Sequence, residues 1–106
     1  MSEVVVLAIF TAKEGKVEEV IERFSPVIEQ THGEAGCLAY ALHRDVNDPN
    51  TLALVERWKS QEDLNAHFGM PYMAEVGNIA SELLVEPPRI VFSTPEPVGD
   101  PAKSTL

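Results

Sequence analysis

The chain has 106 residues, enough for one domain with an apolar core of its own. Hydrophobic residues make up 44% of it and charged residues 24%, a balance that is typical of a globular protein and excludes an intrinsically disordered one. With 17 acidic and 8 basic residues the formal net charge is -9, which argues against a nucleic-acid partner and against docking on an anionic membrane.

The first predicted element is a strand over residues 3–12, whose side chains are apolar at both alternating positions. A strand of this kind is expected to be covered on both sides. Its apolar run, Val4 to Phe10, is too short to cross a membrane and follows no basic segment. We therefore expect a cytoplasmic protein.

An amphipathic helix is predicted over residues 16–32, where apolar residues recur at steps of three and four. Two strands follow over 37–44 and 51–58. The segment between them is rich in Asp, Asn and Pro, which favours a turn. The two strands are therefore predicted to form a hairpin.

A second helical region is predicted after the hairpin, with Ser60 as the N-cap of a helix over 61–69. A Gly-Met-Pro sequence interrupts the pattern before a further helical segment over 72–84. The last predicted strand covers 85–93, and the Pro-rich residues 94–106 read as a flexible tail.

The order β-α-β-β-α-β predicts a ferredoxin-like α+β domain over residues 1–93, in which helices cover one face of an antiparallel sheet. The other face would be bare in a monomer. Because the strands are apolar on both sides, a second subunit is the simplest cover. The sequence therefore predicts a homodimer packed sheet against sheet.

A symmetric hairpin turn would pair His43 with Leu52 and Cys37 with Trp58, and so predicts which side chains share a face. That face combines small residues with an acid, an imidazole and an indole, a mixture that suits an aromatic ligand with a few polar groups. Its members are Cys37, Ala39, Ala41, His43, Leu52, Leu54, Glu56 and Trp58.

The same side chains also have a purely structural interpretation. Trp58 would then be a core residue, and Glu56 would pair with Arg44 or Arg57. His67, on the predicted short helix, could move protons near neutral pH or be a hydrogen-bonded core residue. These alternatives stay open on the residues alone.

No motif for a metal or an organic cofactor is present. The sequence has no H-x-x-x-H or C-x-x-C spacing and no Gly-rich phosphate loop, so neither a metal nor a cofactor is expected. The single cysteine, Cys37, cannot form an intrachain disulfide. We expect it to be a small apolar filler and not a nucleophile.

Five segments in a fixed order carry a family resemblance. They are Glu34-Ala-Gly-Cys-Leu-Ala-Tyr, Leu42-His-Arg-Asp, Asp48-Pro-Asn, Val55-Glu-Arg-Trp-Lys-Ser and Leu64-Asn-Ala-His-Phe. With the opening strand and helix, they make residues 3–93 resemble the antibiotic biosynthesis monooxygenase (ABM) domain family. The resemblance implies a dimeric α+β barrel with a small pocket between sheet and helices. It also implies a small aromatic molecule, such as a quinol, and O2 as partners, with no metal or flavin.

The site residues follow from this resemblance together with the hairpin face. We predict His67 as the proton acceptor and Glu56 as the carboxylate that orients it. The predicted substrate-binding residues are Trp58, Phe68, Tyr72 and His43.

The resemblance also leaves other activities in view. Some members degrade haem with an Asn on the first strand, but this chain has no Asn before Asn47. Family patterns often place a histidine after the proline that follows the second helix, and here Tyr72 occupies that position. The alternatives to a monooxygenase are a non-catalytic small-molecule-binding module and a small-metabolite isomerase in which His67 shuttles protons.

Overall fold

The computed structural model describes residues 3–106 and confirms the predicted β-α-β-β-α-β order. Its elements are β1 (Val4–Thr11), α1 (Val17–His32), β2 (Cys37–Arg44), β3 (Thr51–Trp58), α2 (Gln61–Phe68), a 3-10 turn (Pro71–Met73), α3 (Ala74–Leu83), β4 (Arg89–Ser93) and α4 (Pro101–Ser104). The strands form one sheet in the order β2-β3-β1-β4, with every neighbouring pair antiparallel. This is the ferredoxin-like α+β fold that the sequence predicts.

The core lies between one face of the sheet and the helices. Helix α1 contributes a stripe of buried residues, Val20, Phe24, Val27 and Thr31, at the predicted spacing. The alternate residues of β1 and β3 face this stripe, because side chains along a strand point to opposite sides in turn. No helix within residues 3–106 is both long enough and apolar enough to cross a membrane.

The other face of the sheet is only partly covered in a single chain, although Val5 is buried on it. Leu7, Ile9 and Val91 are partly exposed there, and Ile9 retains 50% of its accessible surface. The antiparallel register places Leu7 opposite Val91, so these side chains lie side by side on neighbouring strands. The prediction that β1 is covered on both sides is thus met on one side only within a single chain.

One prediction about the end of the chain needs correction. Strand β4 begins at Arg89 and not at residue 85, because Pro87 and Pro88 have no N–H to donate to the sheet. Within the Pro-rich residues 94–106 the structure has one helical turn, α4, in which the Asp100 carboxylate accepts a hydrogen bond from the Ala102 N–H at 2.9 Å.

The predicted hairpin register is wrong along most of β2. Cys37 does lie opposite Trp58, but an irregularity between Cys37 and Ala39 shifts every later pair by one residue. Tyr40, and not Ala39, therefore lies opposite Glu56. Because the side-chain period of a strand is two, this shift moves Tyr40 to the core face and His43 to the outer face.

Candidate functional site

A cavity of about 170 Å³ lies between the core face of the sheet and the helices. Most of its walls are aliphatic or aromatic. The lining residues are Val6, Ala8, Phe10, Val20, Phe24, Tyr40, Leu54, Glu56, His67, Phe68, Met73, Val76, Ile79, Ala80, Leu84, Pro88, Ile90 and Phe92. Three of them, Tyr40, Glu56 and His67, carry titratable groups, and none is a lysine or an arginine. The cavity is thus an apolar chamber with a small polar part.

The three titratable side chains are deeply buried, with exposed fractions of 4% for Tyr40, 7% for Glu56 and 1% for His67. Within residues 3–106, no group hydrogen-bonds to the Tyr40 hydroxyl, to His67 Nε2 or to the second carboxylate oxygen of Glu56. None of these atoms is both fully enclosed and unpartnered. Each therefore has accessible space beside it, and the cavity that their residues line supplies that space.

His67 is hydrogen-bonded to a carboxylate that is not among the predicted site residues. Its Nδ1 lies 2.8 Å from Glu34 Oε2, and the Tyr72 hydroxyl donates a hydrogen bond to the same oxygen. A carboxylate can only accept, so His67 Nδ1 carries the hydrogen. In the neutral imidazole this leaves the Nε2 lone pair free to accept a proton.

Glu56 is held by Trp58, whose Nε1–H donates to Glu56 Oε1 at 2.9 Å. Burial raises the pKa of Glu56 to about 7, although the Trp58 hydrogen bond lowers it, and the nearby charge of Glu34 raises it further. The carboxyl group therefore changes charge near neutral pH. The indole ring also packs against His67, with ring centroids 4.6 Å apart.

Tyr40 completes the polar part of the cavity. Its ring packs edge-on against His67, with centroids 5.5 Å apart. Burial, reinforced by the charges of Glu56 and Glu34, raises the pKa of the Tyr40 phenol well above its ordinary value. The hydroxyl is therefore a hydrogen-bond donor throughout the physiological range. Burial, together with the hydrogen bond to Glu34 and the charge of Glu34, raises the pKa of Tyr72 to about 12.

The start of α2 fixes this arrangement. The Ser60 hydroxyl accepts a hydrogen bond from the Asp63 N–H, which is the predicted N-cap. Gly36 packs so closely on Asp63 that an added Cβ would collide with the Asp63 side chain. Because Gly36 lies two residues after Glu34, this approach brings the first turn of α2 and the Glu34 loop together. His67, in the last turn of the same helix, then reaches Glu34.

The predicted site residues are only partly brought together. His67, Glu56 and Phe68 line the cavity, whereas Trp58 and Tyr72 lie behind it as hydrogen-bond donors to Glu56 and Glu34. The carboxylate that hydrogen-bonds His67 is Glu34 and not Glu56.

His43 lies outside the site. It is exposed on the outer face of β2, because the irregularity after Cys37 pairs it with Ala53 and not with Leu52. It does not line the cavity. The alternative ion pairs of Glu56 are also absent from residues 3–106, since Arg44 pairs with Glu18 and Arg57 pairs with Glu3.

Cys37 is half-buried behind the site, and burial together with the charges of Glu34 and Glu56 raises the pKa of its thiol. A raised pKa disfavours the thiolate that nucleophilic catalysis needs. Across residues 3–106, no three His, Cys, Asp or Glu side chains are grouped closely enough to hold a metal ion.

Known proteins share this fold and part of the sequence. An uncharacterized protein from Synechocystis sp. is 31% identical over 87 residues, or 82% of this chain, and the chain spans 59% of that protein's length. A crystal structure of a conserved protein from Methanosarcina mazei superposes with a TM-score of 0.82 at 28% identity, covering 88% of this chain and 92% of the other. The structure of Rv0793 from Mycobacterium tuberculosis gives 0.83 at 27% identity, covering 90% and 96%.

The family model for antibiotic biosynthesis monooxygenase matches residues 3–83. That range holds most of the chain. It also holds the polar residues of the cavity and those behind it, from Glu34 to Tyr72. The chain therefore belongs to the antibiotic biosynthesis monooxygenase (ABM) family.

Proposed function

We propose that this protein is a monooxygenase that oxidises a quinol or a related phenol with O2 and uses no metal or organic cofactor. The observation that carries the proposal is the composition of the cavity. Its walls are apolar except where His67, Glu56 and Tyr40 present unpartnered polar atoms. Such a chamber can hold an aromatic ring, bind its hydroxyl groups and keep water away from a reactive intermediate.

His67 is the proposed proton acceptor. With Nδ1–H fixed on Glu34, the Nε2 lone pair can take the proton of a bound phenol. The imidazolium that forms is stabilised by the Glu34 carboxylate behind it, as in other base–carboxylate pairs. Tyr40 and Glu56 are the proposed hydrogen-bond partners for the remaining oxygen atoms of the substrate.

The ring itself supplies the electrons in this proposal. A phenolate is electron-rich and can reduce O2 directly once its proton is held by the base. For a hydroquinone, one oxygen atom of O2 replaces a ring hydrogen and the other leaves as water. The products are a hydroxyquinone and one water molecule, which balances all atoms and electrons.

The test is oxygen uptake with a panel of reduced quinols, with and without the protein, in the presence of a metal chelator. We expect protein-dependent uptake that survives chelation, with one atom of isotopically heavy O2 in each product molecule. Added catalase should return no oxygen, because this reaction makes no peroxide. Uptake equal to the protein-free rate would reject the proposal and favour the binding module or the isomerase.

We also propose that the protein is a homodimer, with the second subunit covering the bare sheet face around Leu7, Ile9 and Val91. Three partly exposed aliphatic side chains on adjacent strands favour burial over contact with water. The register places Leu7 between Val55 and Val91, so a charge at this position would be desolvated in the dimer without a partner, which is costly.

Replacing Leu7 with glutamate is therefore expected to lower the molar mass measured by light scattering from that of a dimer to that of a monomer at micromolar concentration. The matched control is Val46→Glu, because Val46 is 96% exposed in the hairpin turn and lies away from this face. A monomeric wild-type protein, or a Leu7→Glu variant that stays dimeric, would contradict the proposed interface.

A further inference from the structure

We propose that the cavity selects uncharged phenols and discriminates against phenols that carry a ring carboxylate. The inference rests on the proposed binding site but needs no turnover. Its basis is the charge around the cavity. The ionisable groups that line it or lie directly behind it comprise two carboxylates, one imidazole, two phenols and the Cys37 thiol, with no lysine and no arginine.

The arginines pair or lie outside the cavity. Arg89, next to the lining residue Ile90, alternates with it along β4 and so lies on the outer sheet face opposite Ile9. Arg23, on the same helix as the lining residues Val20 and Phe24, is bound by Glu75 and Glu82 of α3 at 3.1 and 3.3 Å. Arg44 and Arg57 pair with glutamates outside the cavity. No cation within residues 3–106 is therefore placed to neutralise an anionic ring substituent bound inside.

His67 cannot supply that cation on its own. If it were protonated, its charge would at most balance Glu34, to which it is already bonded, and Glu56 would remain. An anion in this chamber would thus face an unbalanced carboxylate at short range among buried, mostly apolar side chains, where repulsion is screened less than at the surface. The net charge of -9 adds a long-range field of the same sign.

Size sets the choice of probe. The cavity volume of about 170 Å³ is close to the roughly 150 Å³ of an engineered protein cavity that binds benzene. A single-ring ligand is therefore the appropriate test molecule. Para-hydroxybenzamide and para-hydroxybenzoate form a nearly isosteric pair that differs by one negative charge, and neither is an electron-rich quinol that would consume O2 during the measurement.

Trp58 provides the readout, because it is the only tryptophan in the chain and its indole N–H bonds Glu56. We would titrate each ligand into the full-length protein and follow the indole N–H resonance by nitrogen–proton correlation spectroscopy. The benzamide is expected to bind at least tenfold more tightly than the benzoate above neutral pH, which corresponds to about 1.4 kcal/mol.

Two variants test whether the charge of Glu56 causes the difference in affinity between the two ligands. Glu56→Gln keeps an oxygen for the Trp58 N–H but removes the charge, and it should reduce the ratio to within about threefold, roughly half of that free energy. Glu29→Gln changes an exposed glutamate on α1 and should leave the ratio unchanged.

Equal affinities in the wild-type protein, no binding of either ligand, or an unchanged ratio in Glu56→Gln would each overturn the inference. Discrimination without any oxygen uptake would keep it and would reject the proposed oxygenation alone. The two proposals therefore fail by different measurements.

Discussion

Replacing His67 with asparagine is expected to slow protein-dependent oxygen uptake by roughly 10²–10⁴-fold, the range that a positioned proton acceptor contributes. The asparagine side-chain nitrogen can occupy the place of Nδ1 and still donate to Glu34. The substitution removes the Nε2 lone pair and leaves the supporting hydrogen bond in place. The lost step is then proton transfer and not the shape of the Glu34 loop.

Substrate binding gives a second readout that separates chemistry from folding. A non-reactive phenol should bind the asparagine variant with an affinity within a few-fold of the wild type, because Tyr40 and Glu56 remain. The matched control is His43→Asn, since His43 is exposed on the outer sheet face. Its uptake rate should stay within about twofold of the wild-type rate, as expected for a surface change.

A His67→Asn rate within threefold of the wild-type rate would remove His67 from the role of proton acceptor. A large loss in His43→Asn would restore the sequence-based register, in which His43 shares a face with Glu56. The two histidines therefore test the structure as well as the mechanism.

The element pattern of this chain is readable from the sequence because each signal is local. Strands β2 and β3 begin and end at the predicted residues, and the Ser60 cap lies where the spacing of Ser60 and Asp63 places it. Periodicity and capping act within a few residues, so no long-range information is needed to detect them.

The observed register of β2 against β3 differs from the predicted one because β2 has one extra residue between Cys37 and Ala39. A symmetric hairpin puts Tyr40 on the outer face, while the irregularity after Cys37 puts it in the core opposite Glu56. The sequence does carry a signal for the observed register, because burying Tyr40 removes more apolar surface from water than burying Ala39 and Ala41. Weighing burial against turn symmetry would have favoured the observed register.

Glu34 had no such signal. It lies in the loop after α1, and its partner His67 is 33 residues further along the chain. The close approach of Gly36 to Asp63, which brings them together, exists only once the loop and α2 have packed. Contacts of this kind depend on tertiary structure, and neither composition nor spacing predicts them.

Replacing Glu56 with glutamine is expected to stabilise the protein above neutral pH and to leave its stability nearly unchanged below about pH 4.5. The carboxyl group titrates at its ordinary value of 4.5 when unfolded, whereas burial raises its pKa to about 7 in the folded protein. A difference of about 2.5 pH units corresponds to roughly 3 kcal/mol at about 1.36 kcal/mol per unit, as an upper estimate. The glutamine amide oxygen can still accept the Trp58 N–H, so the variant keeps the existing hydrogen bond.

Proton binding by Glu56 sets the direction in which the free energy of unfolding changes with pH. Between about pH 4.5 and pH 7 the folded wild-type protein holds a proton on Glu56 that the unfolded chain has released, so its free energy of unfolding falls as the pH rises. Above pH 7 both states are ionised and the loss is complete. The groups around Glu56, namely Tyr40, Trp58, His67 and Glu34, are unchanged in the variant, so their titrations largely cancel in the comparison.

Urea unfolding of wild type and Glu56→Gln at a fixed protein concentration, repeated across this pH range, measures the difference directly, since stability depends on concentration if the protein dimerises. The difference in free energy of unfolding between Glu56→Gln and the wild type should grow from about pH 4.5 to pH 7 and stay constant above that. Glu29→Gln, at an exposed position, should show no such change relative to the wild type. A difference in free energy of unfolding that does not change with pH would mean that Glu56 ionises in the folded protein at little cost. The charge that we propose for ligand discrimination would then already be offset within the fold.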